Sequence, residues 1–141
     1  MNEKVVQKWT AALRSGAYKQ GDGALRTEDN YCCLGVLCDL YSKEHDDSGW
    51  REDDRDHTGV IPFATPSSST LTETAQLPVE VMEWVGISDP EGTFGESNSL
   101  VLCNDSGASF EAIANLIDGR PKGLFQQTEQ EIAERLMGQD A

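Results

Sequence analysis

Residues 3 to 14 place Val5, Val6, Trp9, Ala12 and Leu13 at helical spacing, with Lys4, Lys8 and Arg14 between them. That period predicts an amphipathic helix. Gly16 stands where a left-handed residue would close it. The stretch from Tyr31 to Tyr41 (YCCLGVLCDLY) is almost wholly apolar. Leu34, Leu37, Cys38 and Tyr41 fit one helical stripe, and Cys33, Val36, Leu37 and Leu40 fit a second, so a central, buried helix is predicted over 32–42. Gly35 inside such a helix costs roughly 1 kcal/mol relative to Ala, which marks it as a point where another backbone comes close. Asp39 is the only charged residue of this run.

Past a polar loop at 43–58, Val60-Ile-Pro-Phe63 predicts an edge strand, because proline cannot donate to a ladder. The Ser/Thr-rich stretch 65–74 predicts a flexible connection, and Thr70 with Glu73 has the form of a capping box. Residues 77–86 predict a short helix with Pro78 in its first turn, Gly86 as its stop and Val81, Trp84 and Val85 buried. Ser99-Leu-Val-Leu-Cys103 has the apolar continuity of a strand. Phe110, Ile113, Ala114 and Ile117 keep the helical period after the loop Asn104-Asp-Ser-Gly-Ala-Ser109. A last short helix would start at a Thr128–Glu131 capping box and bury Ile132 and Leu136. The pattern predicts one α+β domain over 1–119, mostly helical, with a small sheet that includes 60–63 and 99–103. A linker and a weakly docked C-terminal helix are expected over 120–141.

Charge adds a contrast. The chain of 141 residues carries a net charge of −14, yet its first 26 residues hold Lys4, Lys8, Arg14, Lys19 and Arg26 against only Glu3 and Asp22. Within this basic island, Arg14, Ser15, Tyr18, Lys19, Gln20 and Arg26 form a candidate anion or nucleotide site. Arginine forks and glycine amides suit phosphate oxygens, and Tyr18 would stack on a base. The spacing Gly21-Asp-Gly23 matches neither a Walker nor a Rossmann loop. Elsewhere the negative field disfavours direct binding to nucleic acid or to an anionic membrane, and it suits a basic protein partner. Seven acids between Glu44 and Asp56 offer that second reading, an acidic interaction protein or DNA mimic with Trp50 as anchor and Asp53, Asp54 and Asp56 as charge.

The four cysteines, Cys32, Cys33, Cys38 and Cys103, are poorly spaced for disulfides and read as reduced, which points to the cytoplasm. Their spacing is not that of a zinc knuckle, so neither a metal nor another cofactor is expected. A third reading is a cysteine hydrolase. Cys32 or Cys33 at a helix N-terminus would have a lowered pKa, with His57 as base.

Trp9 with Ala12-Leu-Arg-Ser-Gly16, Tyr18, Gln20-Gly21, Leu25, the Tyr31–Tyr41 block and Asn104-Asp-x-Gly-x-Ser-Phe110 together resemble a group of short phage and prophage proteins. The resemblance covers about half of the chain and carries no activity. It implies a phage setting, with action in the host cytoplasm as a counter-defence type of accessory protein.

Overall fold

Asn2 opens the first helix by accepting the Val5 amide on its side chain, and α1 runs Glu3–Arg14. In the computed structural model, which describes residues 1–67 and 74–126, α1 buries Val5, Val6, Trp9 and Leu13 as its period requires. The helix closes at Ser15, and Gly16 follows at φ +77°. Fully buried Trp9 donates its indole N–H to the Cys33 carbonyl at 2.9 Å and so ties α1 to the start of the next helix.

That helix, α2 (Cys33–Glu44), is the centre of the core: Cys33, Leu34, Val36, Leu37 and Cys38 are all fully buried. Gly35 has the close neighbour its position implies. A Cβ there would stand 1.8 Å from the Leu25 carbonyl oxygen, which also accepts the Cys32 amide at 3.1 Å. The Leu25 backbone therefore lies directly on the first turn of α2.

Around this helix the strands are two residues each. β1 (Lys19–Gln20), β2 (Arg26–Thr27) and β3 (Asn30–Tyr31) form a sheet in the order β1-β3-β2. β3 is parallel to β1 and antiparallel to β2, which brings Gln20, Tyr31 and Arg26 into one row. β4 (Gly49–Trp50) pairs antiparallel with β5 (Phe63–Ala64), so the polar loop returns to the core through Trp50 opposite Phe63. The expected strand at 60–63 is thus reduced to its end, with Val60 making a single bridge to Thr27. α3 (Val79–Val85) ends at Gly86 in the left-handed region. It buries Val81 and Val85 and leaves Trp84 half-buried. β6 (Thr93–Phe94) and β7 (Asn98–Ser99) make a hairpin.

The expected strand at 99–103 is a correction: Leu100–Asp105 is a helix, α4. Ser99 caps it by accepting the Leu102 amide at 3.0 Å. Its buried residues, Leu100 and Asn104, are spaced by one helical turn, while Leu102 is 50% exposed. A run of four apolar residues has no period long enough to separate the two states, and the serine cap decides. α5 (Phe110–Asp118) follows, capped by Ser109 and buried through Phe110, Ile113, Ala114 and Ile117 as expected.

Residues 120–126 are not a loose linker. Leu124 is fully buried, its carbonyl accepts the Ser88 amide, and the Gln126 amide donates to the Gly86 carbonyl at 2.7 Å. The proline and glycine that suggest a linker shape a tight turn that docks on the end of α3. The Thr70–Glu73 and Thr128–Glu131 boxes, the pair Ile132 and Leu136, and most of the 65–74 stretch lie outside the described residues. The fold class is α+β, with five helices and three small sheets among the described residues.

Candidate functional site

The chain's separate polar blocks meet at Asn104, a side chain only 2% exposed. Its Oδ1 accepts the Cys33 amide at 3.2 Å and the Gln20 side-chain amide at 3.0 Å, and its Nδ2 donates to the Gly21 carbonyl at 2.7 Å. Gln20 also donates to the Ala108 carbonyl, and Asp105 accepts the Gly23 amide at 3.0 Å. One carboxamide thus caps α2 and anchors the glycine-rich segment. An open cleft of about 420 Å³ lies over it between Gln20–Asp22 and Gly107. The Asn-Asp pair is legible in the sequence as a shaper of nearby backbone, but which backbone it shapes depends on the long-range packing of α4 on α2.

The basic set does not converge. Arg14 turns to α5, bonding Asp118 at 2.6 Å and Asn115 at 2.8 Å. Ser15 caps its own helix through the Ala12 carbonyl. Lys19 is exposed, in the register row of Asn30 and Thr27 rather than that of Tyr31. Arg26 is held at Glu52 (3.1 Å) and at the Glu28 carbonyl (2.7 Å), with its side chain only 12% exposed. Tyr18 donates to Asp39 at 2.6 Å. Burial, and then that bond to a carboxylate, hold the Tyr18 hydroxyl well above its usual pKa.

Tyr18 and Arg26 do share one neighbour, Tyr31. The Tyr18 and Tyr31 rings meet edge-on at 5.1 Å, Tyr31 meets Trp50 at 5.7 Å, and Trp50 meets Phe63 at 4.9 Å. The Arg26 guanidinium lies over both Tyr31 (5.2 Å) and Trp50 (5.4 Å). Asp39 ties this ladder to α2: it also accepts the Trp50 indole N–H at 3.0 Å and pairs with Lys43 at 3.3 Å. A single charge in an apolar helix is the sequence signal for this junction. Tyr31 is not legible as a site residue in the sequence, since it reads as the edge of the apolar run.

Neither candidate nucleophile faces solvent. Cys32 caps α2 with its thiol, accepting the Gly35 amide at 3.4 Å, and Cys33 is fully buried with its thiol 3.6 Å from the Leu100 carbonyl. Burial pushes the Cys32 thiol up to about 11 and the Cys33 thiol well above its ordinary value. The helix N-terminus was expected to lower these values, and desolvation outweighs it. His57 sits exposed in the Asp56–Gly59 turn, whose backbone engages Glu28.

The acidic segment is different. Asp46, Asp47, Asp53 and Asp54 are exposed, the last two in the 3₁₀ turn Glu52–Asp54. Asp56 accepts the Thr58 hydroxyl and the Thr58 and Val60 amides, bonds that lower its pKa and fix the turn. Trp50 is half-buried in the aromatic ladder, and open clefts of about 240 and 450 Å³ lie along Asp46–Arg51 and Trp50–Asp54. Among the described residues no group of three or more His, Cys, Asp or Glu side chains is gathered to hold a metal ion, and no helix is long and apolar enough to cross a membrane.

Fold and site together define a small α+β domain with a polar junction at its centre and an acidic face at one side. Residues 1–120 match the family described as a domain of unknown function, DUF8296, and the chain belongs to that family. Comparison with curated proteins and with solved structures finds no match.

Proposed function

We propose that this chain is a non-enzymatic accessory protein of a phage setting, and that its acidic 44–56 face engages a basic protein partner. One observation supports the reading. The arginines of the basic island are paired inside the protein, Arg14 with Asp118 and Arg26 with Glu52. Asp46, Asp53 and Asp54, by contrast, stand exposed with no ion pair among the described residues. An anion arriving at Arg14 or Arg26 must displace a carboxylate already in contact, whereas a cation arriving at Asp53 displaces only water. Complementary charge of this kind governs encounter and choice of partner. The phage setting rests on the Tyr31–Tyr41 and Asn104–Phe110 blocks.

The test is charge reversal. Asp53→Lys with Asp54→Lys should abolish salt-sensitive capture of a basic partner from host lysate and leave unfolding free energy within about 0.5 kcal/mol, as for surface changes in general. Arg14→Ala should leave capture intact. Capture that survives the reversal sinks this reading. A rise in melting temperature with nucleotides, lost in Arg26→Ala, would return the anion pocket to first place.

A further inference from the structure

We propose a second binding site, for a small organic anion with a flat apolar body, in the cleft between the N-terminal residue and the turn that follows α5. The cleft is about 300 Å³ and is lined by Met1, Arg120, Lys122, Phe125 and Gln126, among others. That volume is at the lower end of small-molecule pockets, and an apolar wall with a few convergent polar groups is their usual composition. Here the apolar wall is the Phe125 ring and the Met1 side chain, and the polar groups are two cations and a carboxamide.

Three features set the place apart from the acidic surface around it. Arg120 has a left-handed backbone, φ +51°, unusual for a residue that is not glycine. Such a conformation is kept only where the surroundings hold it, and it marks functional sites more often than chance. Here the Arg120 amide closes α5 on the Ile117 carbonyl at 3.0 Å, and the turn that follows is fixed by Gly95 donating to the Lys122 carbonyl at 2.8 Å and Gln126 to the Gly86 carbonyl at 2.7 Å. Next, the guanidinium is pre-set over the Phe125 ring at 5.6 Å. Its bonds to the Ile117 carbonyl and to Glu3 use one donor on each terminal nitrogen, and an arginine carries five. Finally, Lys122 is exposed and makes no ion pair among the described residues. Arg120 is thus paired with Glu3, as Arg14 is with Asp118, and Lys122 is the cation lining the cleft that is unpaired among the described residues.

An anionic oxygen group would be held chiefly by the unpaired Lys122, taking from Arg120 only the donors that Glu3 and the Ile117 carbonyl leave, with its flat body beside Phe125. A phosphate monoester and a carboxylate share that chemistry. The site is separate from the 44–56 face, so the two readings stand or fall apart.

Titration of the full chain with phenyl phosphate, benzoate and inorganic phosphate, followed by amide chemical shifts, tests it. We expect saturable shifts at Gly123–Gln126 with phenyl phosphate or benzoate, whichever anion the site prefers. Inorganic phosphate should bind at least tenfold more weakly. Lys122→Glu should weaken the organic anion at least tenfold with an unchanged melting curve, and Glu3→Gln, which removes the competing carboxylate, should tighten it. Absence of saturable shifts at millimolar concentration with both organic anions overturns the proposal. So does binding that Lys122→Glu leaves unchanged, or inorganic phosphate binding as well as the organic anions.

Discussion

The Asn104 junction and the 44–56 segment are both rich in polar side chains, and the protein uses them in opposite ways. At the junction the polar groups bond one another: Asn104 alone joins Cys33, Gln20 and Gly21. No buried side-chain nitrogen or oxygen among the described residues lacks a hydrogen bond. In the acidic segment Glu44, Glu52 and Asp56 are drawn into the fold, by Lys8, by Arg26 and by the Asp56–Val60 turn, while Asp46, Asp53 and Asp54 face water. Polarity that is buried must be satisfied or it destabilises. Polarity left at the surface is free to meet something else. The comparison separates polar residues that hold the fold from those open to a partner, a division composition alone does not make.

The largest effect sets the scale. Leu37, fully buried in α2, should cost about 2–5 kcal/mol when changed to alanine, through lost burial and the cavity left behind. Chemical denaturation measures this, and a loss below about half a kcal/mol would deny α2 its central place.

Asn104→Ala comes next and probes the junction side of the comparison. It orphans the buried Cys33 amide and the Gly21 carbonyl, at about 1–3 kcal/mol. Hydrogen exchange should speed up at Cys33 and along Gly21–Gly23. A neutral result would reduce the junction to a surface feature and erase the contrast.

The smallest effect belongs to an intermediate case. Glu80 is a half-buried carboxylate that accepts the Thr65 hydroxyl at 2.9 Å and the Ser67 amide at 2.9 Å. Partial burial would raise its pKa, but the Ser67 and Thr65 bonds prevail and lower it below the usual 4.5. A carboxylate with a depressed folded pKa contributes stability that is present above its unfolded value and lost as pH falls through the folded one. The stability difference between the wild type and Glu80→Gln should therefore be full at neutral pH and shrink below about pH 4.5. A difference independent of pH would mean that Glu80 acts by packing alone.

Period and capping made most of the fold legible. α1, α2 and α5 follow from apolar spacing, and the close approach at Gly35 follows from the cost of a glycine in a buried helix. α4 reads as a strand because four apolar residues fit either state until the Ser99 cap is seen. The turn after α5 reads as a linker because Pro121 and Gly123 mark both linkers and docked turns, and the burial of Leu124 tells them apart. The basic island was legible as charge but not as a site. Its partners, Asp118 for Arg14 and Glu52 for Arg26, are 104 and 26 residues away in the chain, and no local pattern announces them.

The three tryptophans give the molecule a built-in set of optical reporters. Trp9 is sealed in the core with its indole on the Cys33 carbonyl, and its emission follows global unfolding. Trp84 stands edge-on to Tyr41 and His45, with ring centroids at 5.3 and 5.7 Å, at the far end of α2. Trp50, bonded to Asp39 and set among the exposed acids, lies within the proposed contact face itself. Fluorescence from a protein retaining Trp50 alone, with the other two changed to phenylalanine, would follow events at that face without labels, and acrylamide quenching would show when a partner shields it.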